Sequence, residues 1–86
     1  MNLLFHEQFV KQLKRLYPRQ RQHVEERLAL FLDDPWHPLL SNHALMGHYR
    51  GYRSINIGGD LRAVYKLINE HACIFVALGT HSQLYA

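Results

Sequence analysis

The chain has 86 residues, a formal net charge of +3 and 48% hydrophobic residues. This length allows one small domain, and the hydrophobic content excludes a disordered segment. No apolar run approaches the roughly 18 residues of a membrane-spanning helix, and His6 and Glu7 stand where a signal peptide would be apolar. We therefore expect a single cytoplasmic domain over residues 1–86, with no membrane partner and a basic surface that suits polyanions.

The first half of the chain is predicted to form a short strand and two helices. Residues 2–5 read as the strand. Apolar residues then recur at helical spacing, at Phe9, Val10, Leu13, Leu16 and Tyr17, until Pro18 interrupts the pattern. A second stripe consists of Val24, Leu28, Phe31 and Leu32, and the sequence Asp33-Asp34-Pro35 ends it. Two helices joined by a short turn predict an αα-hairpin.

The second half of the chain is predicted to be mainly β. Residues 35–42 read as an irregular loop whose Trp36 and Leu39 pack against the core. Strands are predicted at 52–57, 61–68 and 72–78, with turns at Gly58-Gly59 and at 69–71. A short turn over 80–85 closes the chain. The expected fold is α+β in the order β-α-α-β-β-β, with a small antiparallel sheet packed against the helical hairpin.

Two cations are expected on the open face of this sheet. Alternation in the second strand of the meander places Arg62, Val64 and Lys66 on one face. The other face, which would meet the helices, carries Leu61, Ala63, Tyr65 and Leu67. Arg53 belongs to the same region, but its own alternation leaves its direction open. Clustered Arg and Lys suit phosphate recognition. Scattered charges that only keep an open face soluble are the alternative interpretation.

Acid–base residues surround the same face: His43, His48, Asp60 and His81, with Tyr85 four residues after His81. Cleavage of RNA through its own 2′-hydroxyl requires a base, a cation on the phosphate and an acid for the leaving 5′-oxygen. Histidine and aspartate can move those protons, arginine can stabilise the charge, and tyrosine can stack on a base. For any one of these histidines, an ordinary surface role is the alternative.

Metal and thiol chemistry are not expected. The spacings of the seven histidines match no paired-ligand pattern, so no metal site and no cofactor are predicted. Cys73 is the only cysteine and lies among Ala72, Ile74, Phe75 and Val76. A buried core thiol is its favoured interpretation.

Three segments resemble the RelE/ParE toxin superfamily, and most closely its YafQ-type branch. They are HALMGHYRGYRSI at 43–55, GDLRAVYK at 59–66 and GTHSQLY at 79–85. The resemblance is specific over 43–85, and for the two helices it rests on pattern alone. It implies a RelE-like fold and a ribosome-dependent endoribonuclease that cleaves mRNA and is held inactive by a cognate antitoxin protein.

The resemblance also implies roles for individual residues. His43, Asp60, His81 and Tyr85 coincide with active-site positions of the family, and Arg62 coincides with an arginine that other RelE-type toxins use on the scissile phosphate. The expected mechanism has His81 as general acid, His43 or Asp60 as base, Arg62 on the phosphate and Tyr85 positioning the substrate. Further candidates for RNA and phosphate binding are Arg53, Lys66, His48 and Arg50.

One position departs from the family pattern. Asn56 stands where YafQ-like toxins carry a second catalytic histidine, and an amide does not transfer protons at neutral pH. His48 is a possible substitute, or Asp60 and Arg62 suffice. The identity of the base therefore stays open at the level of sequence.

Two other functions remain as alternatives. A ParE-like toxin shares this fold but inhibits DNA gyrase without catalysis, so it has no need of the His, Asp and Arg constellation. A basic nucleic-acid-binding module would bind without cleaving, but a charge of +3 is modest for that role.

Overall fold

Five strands form one sheet in the computed structural model, which describes residues 1–85. In chain order they are β1 (Asn2–Phe5), β2 (His43–Ala44), β3 (Arg53–Gly58), β4 (Leu61–Asn69) and β5 (Ala72–Thr80). Across the sheet their order is β1-β5-β4-β3-β2. The strands from β2 to β5 pair antiparallel with their neighbours, which confirms the predicted meander and the α+β fold.

The sequence did not predict two features of the sheet. β1 pairs with β5 in parallel, with Leu3 opposite Cys73, so the sheet is mixed rather than wholly antiparallel as expected. β2 is an additional strand of two residues, in which His43 lies opposite Ser54 of β3. A two-residue strand is too short to show any periodicity in the sequence, and a parallel partner 70 or so residues away leaves no local signal.

The predicted helical hairpin is confirmed as α1 (Glu7–Lys14) and α2 (Pro18–Asp33). α1 begins after His6, whose imidazole Nδ1 accepts a hydrogen bond from the backbone N–H of Gln8 at 3.0 Å. Pro18 is the first residue of α2. A backbone N–H at this position has no acceptor within the helix, so proline, which lacks that N–H, costs the helix no hydrogen bond. None of the helices within residues 1–85 is long and apolar enough to cross a bilayer.

The hydrophobic core lies between the helical hairpin and one face of the sheet. Phe9, Val24 and Phe31 from the helices meet Ile55, Ile57, Leu61, Ala63, Tyr65, Cys73, Phe75 and Leu78 from the strands. The expected alternation of β4 is confirmed for Leu61, Ala63 and Tyr65 but is wrong for Leu67, which is half exposed. The four residues at the carboxyl end of β4 are all exposed, and two register shifts against β5 interrupt the strict alternation.

The predicted packing of the 35–42 loop is also wrong in detail. Trp36 and Leu39 are 64% and 55% exposed, whereas Leu40 is completely buried in the core. A 3-10 turn at Pro38–Leu40 turns Leu40 inward, and His37 Nδ1 accepts a hydrogen bond from the N–H of Leu39 at its start. After β5 the predicted closing turn is the short helix α3 (His81–Tyr85).

Candidate active site

A cleft of about 270 Å³ opens on the face of the sheet that the hairpin leaves uncovered. Residues from β2, β3, β4 and α3 line it, together with two residues of the loop after β2: His43, Leu45, Met46, Ser54, Arg62, His81 and Tyr85. The fold therefore brings together four of the five residues expected to be catalytic, although they are separated by up to 42 positions in the chain. The fifth, Asp60, is not among the residues that line the cleft.

His43 is oriented by its own backbone. Its Nδ1 lies 2.7 Å from the carbonyl oxygen of Ser41. Because a carbonyl oxygen only accepts hydrogen bonds, Nδ1 must carry the proton in this contact, and Nε2 of the neutral ring keeps its lone pair. The side chain is exposed, so this lone pair is available to take a proton from a ligand.

Arg62 is fixed by three hydrogen bonds from a single nitrogen. Its Nη1 donates to Asn56 Oδ1 at 3.0 Å, to the Gly59 carbonyl at 2.8 Å and to the Leu61 carbonyl at 3.2 Å. Within residues 1–85 the other guanidinium nitrogens make no hydrogen bond, and a planar guanidinium presents them to phosphate as paired donors. Asn56, which stands where the family resemblance expects a histidine, thus holds the arginine.

α3 brings His81 and Tyr85 to the cleft as one unit. Their rings lie edge to face with centroids 4.8 Å apart, and the Tyr85 ring also contacts Tyr49 at 5.9 Å. The helix begins with a reciprocal pair of hydrogen bonds: Thr80 N–H donates to Gln83 Oε1 at 2.8 Å, and Gln83 N–H donates to Thr80 Oγ1 at 3.3 Å. This capping pair sets the position of both rings.

Two hydroxyl groups of the cleft are buried without a hydrogen-bond partner among residues 1–85. They are Ser54 Oγ and Tyr85 Oη. The Ser54 side chain is 0% exposed. Burying a hydroxyl without a partner is unfavourable, and such a group in a cleft is a candidate ligand contact.

The comparisons with known proteins identify the family of the chain. Residues 1–86 match the family model described as the bacterial toxin of type II toxin-antitoxin systems, YafQ. The chain belongs to this family. It is therefore a type II toxin, and the resemblance to the RelE/ParE superfamily and its YafQ-type branch is confirmed. No curated protein matches the chain in sequence.

Solved structures similar to this YafQ-family chain share its fold. YafQ from E. coli strain BL21(DE3) superposes with a TM-score of 0.83 at 22% identity, over 99% of this chain and 98% of that one. The E. coli DinJ-YafQ toxin-antitoxin complex gives 0.80 at 22% identity, over 99% and 97%. A YoeB/ParE toxin from Agrobacterium tumefaciens gives 0.78 at 19% identity, over 94% and 99%. At these identities the likeness establishes the fold, and the chemistry must be argued from the residues.

Several predicted site residues of this YafQ-family chain lie outside the cleft. Asp60 is exposed in the turn between β3 and β4. Arg53, whose direction the sequence leaves open, does not line the cleft: its Nε donates to Asn42 Oδ1 at 2.8 Å and its guanidinium lies 4.8 Å from the Trp36 ring centroid. Arg50 is exposed beyond a 3-10 turn at Gly47–Tyr49.

Lys66 and His48 lie on the open face but beside the cleft rather than in it. The Lys66 ammonium stands 5.6 Å from the ring centroid of Tyr52. His48 contacts the Tyr49 ring at 5.1 Å and lines two depressions that adjoin the cleft. Both residues therefore flank the site, where they can contact a ligand that extends beyond it.

Sequence reasoning missed Ser54 as a site residue. The signal was present, because alternation in β3 places Ser54 and Asn56 on the face opposite Ile55 and Ile57. A serine in a strand indicates a site only when its side chain is known to be buried. The burial of Ser54 depends on β2 and α3, and the sequence pattern did not predict where these two elements lie.

Two groups with shifted pKa values lie on the other face of the sheet. Burial raises the pKa of the Cys73 thiol to about 11, and burial also raises the pKa of the Tyr65 phenol, against the smaller opposing effects of Asn42 and Arg53. The interpretation of Cys73 as a core thiol is confirmed. Within residues 1–85, no three His, Cys, Asp or Glu side chains are grouped so that they would hold a metal ion.

Proposed function

We propose that this toxin is a ribosome-dependent endoribonuclease that cleaves mRNA through the 2′-hydroxyl of its substrate, by acid–base chemistry. The observation that carries the proposal is the convergence of His43, Arg62 and His81 in one cleft. These side chains provide the base, the cation and the acid that such a cleavage requires. Tyr85 and Ser54 add hydroxyl groups without partners at the same place.

Each residue has a defined task in this mechanism. Nε2 of neutral His43 takes the proton of the 2′-hydroxyl, and the oxygen attacks the adjacent phosphorus. Arg62 stabilises the charge that develops on the phosphate oxygens. The bond from phosphorus to the 5′-oxygen breaks, and protonated His81 donates its proton to that oxygen. The products are a 2′,3′-cyclic phosphate and a free 5′-hydroxyl.

His43 is preferred over Asp60 as the base. Asp60 does not line the cleft, whereas the lone pair of His43 Nε2 is free once Nδ1 donates to Ser41. Asn56 then has a structural task, because it accepts a hydrogen bond from the arginine that must meet the phosphate.

The proposed partners follow from the same surface. The net charge of +3 is modest for holding free RNA, so an mRNA already fixed on the ribosome is the favoured substrate. The E. coli relative is solved in a complex with DinJ. We propose that a cognate antitoxin likewise binds this toxin in the cytoplasm and prevents RNA from entering the cleft.

The test is cleavage of an mRNA, free and on programmed ribosomes, with cut positions mapped by primer extension and the new 3′ ends analysed chemically. Cuts only on ribosomes, with cyclic phosphate or 3′-phosphate ends, are expected. Intact RNA in both reactions, together with inhibition of gyrase supercoiling by the purified toxin, would overturn the proposal in favour of the ParE-like alternative.

A further inference from the structure

A second depression on the open face, here named the flanking pocket, adjoins the cleft. Its volume is about 410 Å³, and it includes Val76 and Ala77 of β5 and the side chains of Tyr49 and Tyr52. The Tyr49 ring lies between the two sites, with its centroid 5.9 Å from that of Tyr85 in the cleft and 5.9 Å from that of Tyr52. The cleft and the flanking pocket are therefore joined by a continuous row of aromatic rings.

Polar side chains also line the flanking pocket. Two of them, His6 and Gln8, lie at the start of α1. Because His6 Nδ1 accepts the hydrogen bond that caps α1, the proton of the neutral ring is on Nε2, which is left to donate. The Lys66 ammonium does not line the pocket but lies 5.6 Å from the centroid of the Tyr52 ring, and so places a positive charge beside one of the rings that do.

This combination matches the chemistry of a nucleotide. Aromatic walls suit stacking of a flat base, an imidazole N–H suits an acceptor on the edge of that base, and an ammonium suits its phosphate. Neither Tyr52, His6 nor Lys66 has a task in the cleavage reaction. The cleft holds the bond to be cut, so the flanking pocket is placed for the next part of the same strand.

We propose that the flanking pocket binds the base of a nucleotide adjacent to the cleavage site, stacked on Tyr52, with its phosphate near Lys66. The proposal rests on the proposed function, in that the strand is the RNA held in the cleft. It predicts that recognition extends over more than the two nucleotides joined by the scissile bond.

The test measures binding separately from cleavage. The probe is a short RNA of three nucleotides with a 2′-deoxy sugar at the nucleotide to be cut, titrated into the toxin and followed by two-dimensional NMR. Versions of the probe with one base removed, at each position in turn, are compared on the unchanged protein. Removal of one particular flanking base is expected to weaken binding about tenfold, the range of a base stacked on an aromatic ring.

Variants identify the pocket responsible. Tyr52→Ala is expected to lose the same factor of about tenfold and Tyr52→Phe to retain binding. Tyr17→Ala, at an exposed tyrosine in the turn between α1 and α2, is expected to bind as the unchanged protein. The Tyr52→Ala variant should bind the probe that lacks the critical base as well as it binds the complete probe, because the Tyr52 ring and that base form one contact. Thermal unfolding of each variant checks its fold.

The outcomes separate the two proposals. No binding by the unchanged toxin, no sensitive flanking base, or independent losses for base and ring would each overturn the flanking pocket. If the losses of binding caused by removing the base and by removing the Tyr52 ring are coupled, but the toxin does not cleave mRNA on ribosomes, the flanking pocket is supported and the proposed catalytic function is overturned.

Discussion

Two histidines share the cleft, and their local contacts differ. The carbonyl of Ser41 fixes the tautomer of His43 and leaves a lone pair on Nε2. His81 has its ring against Tyr85 at the edge of the cleft and is exposed. In the proposed mechanism the base must begin neutral and the acid must begin protonated.

Replacing His81 by Ala should lower the single-turnover rate of mRNA cleavage on ribosomes by roughly 100-fold to 10,000-fold, because the leaving oxygen loses its acid. The free energy of unfolding should change little, since the side chain is exposed. His71→Ala, at an exposed histidine in the β4–β5 turn, is the matched control and should cleave normally. Normal cleavage by His81→Ala would remove this residue from the mechanism.

Replacing Ser54 by Ala should have opposite effects on stability and activity. The free energy of unfolding should rise by about 1 kcal/mol, because a buried hydroxyl without a partner is removed. Cleavage should fall by about tenfold, the effect of one lost hydrogen bond to a charged group. Urea unfolding and ribosome cleavage are the two measurements. A variant that is more stable and fully active would show that Ser54 does not contact the substrate.

At this scale the sequence predicted residue types better than residue directions. Motifs in the sequence predict His43, Arg62, His81 and Tyr85 as site residues, and the fold places them together. Asp60 and Arg53 do not line the cleft: Asp60 is exposed in a turn, and Arg53 contacts Asn42 and Trp36. The direction of the Arg53 side chain depends on contacts with the loop over residues 35–42, which has no periodicity, so the sequence pattern could not predict it.

The element that most affects the site is α3, because its five residues carry both His81 and Tyr85. A helix of this length is not stable by itself in water. Its position depends on the capping pair of Thr80 and Gln83 and on the contact of Tyr85 with Tyr49. Gly79 makes room for this arrangement, since a Cβ there would lie 3.0 Å from Gln83 Oε1.

Replacing Gln83 by Ala should therefore loosen α3 without unfolding the domain. Amide hydrogen exchange should become faster in residues 81–85 only. Because loss of the cap destabilises the helix by about 1 kcal/mol or more, cleavage should fall by about tenfold. Gln22→Ala, on the exposed face of α2, is the control. If exchange in α3 is unchanged, the capping pair does not hold the helix.

Helices and long strands were predictable because each buries one face and so repeats its apolar residues at a fixed period. The hairpin and the meander follow from that rule, with Pro18 marking the start of α2. β2 and the parallel pairing of β1 were not predictable, because they depend on hydrogen bonds between distant backbones. The same applies to the cleft, which β2 and α3 complete.

For the molecule as a whole, the buried thiol and phenol predict a loss of stability in alkali. Burial raises the pKa of Cys73 to about 11, so the folded chain holds that proton more tightly than the unfolded chain. This stabilisation is complete below the ordinary thiol pKa, and it is lost as the pH rises through the folded value. The raised pKa of Tyr65 acts in the same direction at higher pH.

Urea unfolding at about pH 8 and at about pH 10.5 should show a clear fall in the free energy of unfolding over this interval. Cys73→Ala should unfold more easily at both values, because it leaves a small cavity, but the fall with pH should be shallower. An equal fall in both proteins would show that other groups control the alkaline transition. The native thiol should also react slowly with thiol reagents near neutral pH.

The parallel pairing of β1 with β5 determines the order in which the cleft can form during synthesis. β1 is made well before its partner strand, which begins at Ala72, and α1 is tied to the same strand by a hydrogen bond from Leu78 N–H to Gln12 Oε1. Until β5 is available, the sheet has no neighbour for β1 or for the second edge of β4. His81 and Tyr85 follow β5 directly. A growing or prematurely ended chain that stops before His81 therefore lacks two of the residues that line the cleft, His81 and Tyr85, and cannot form it completely.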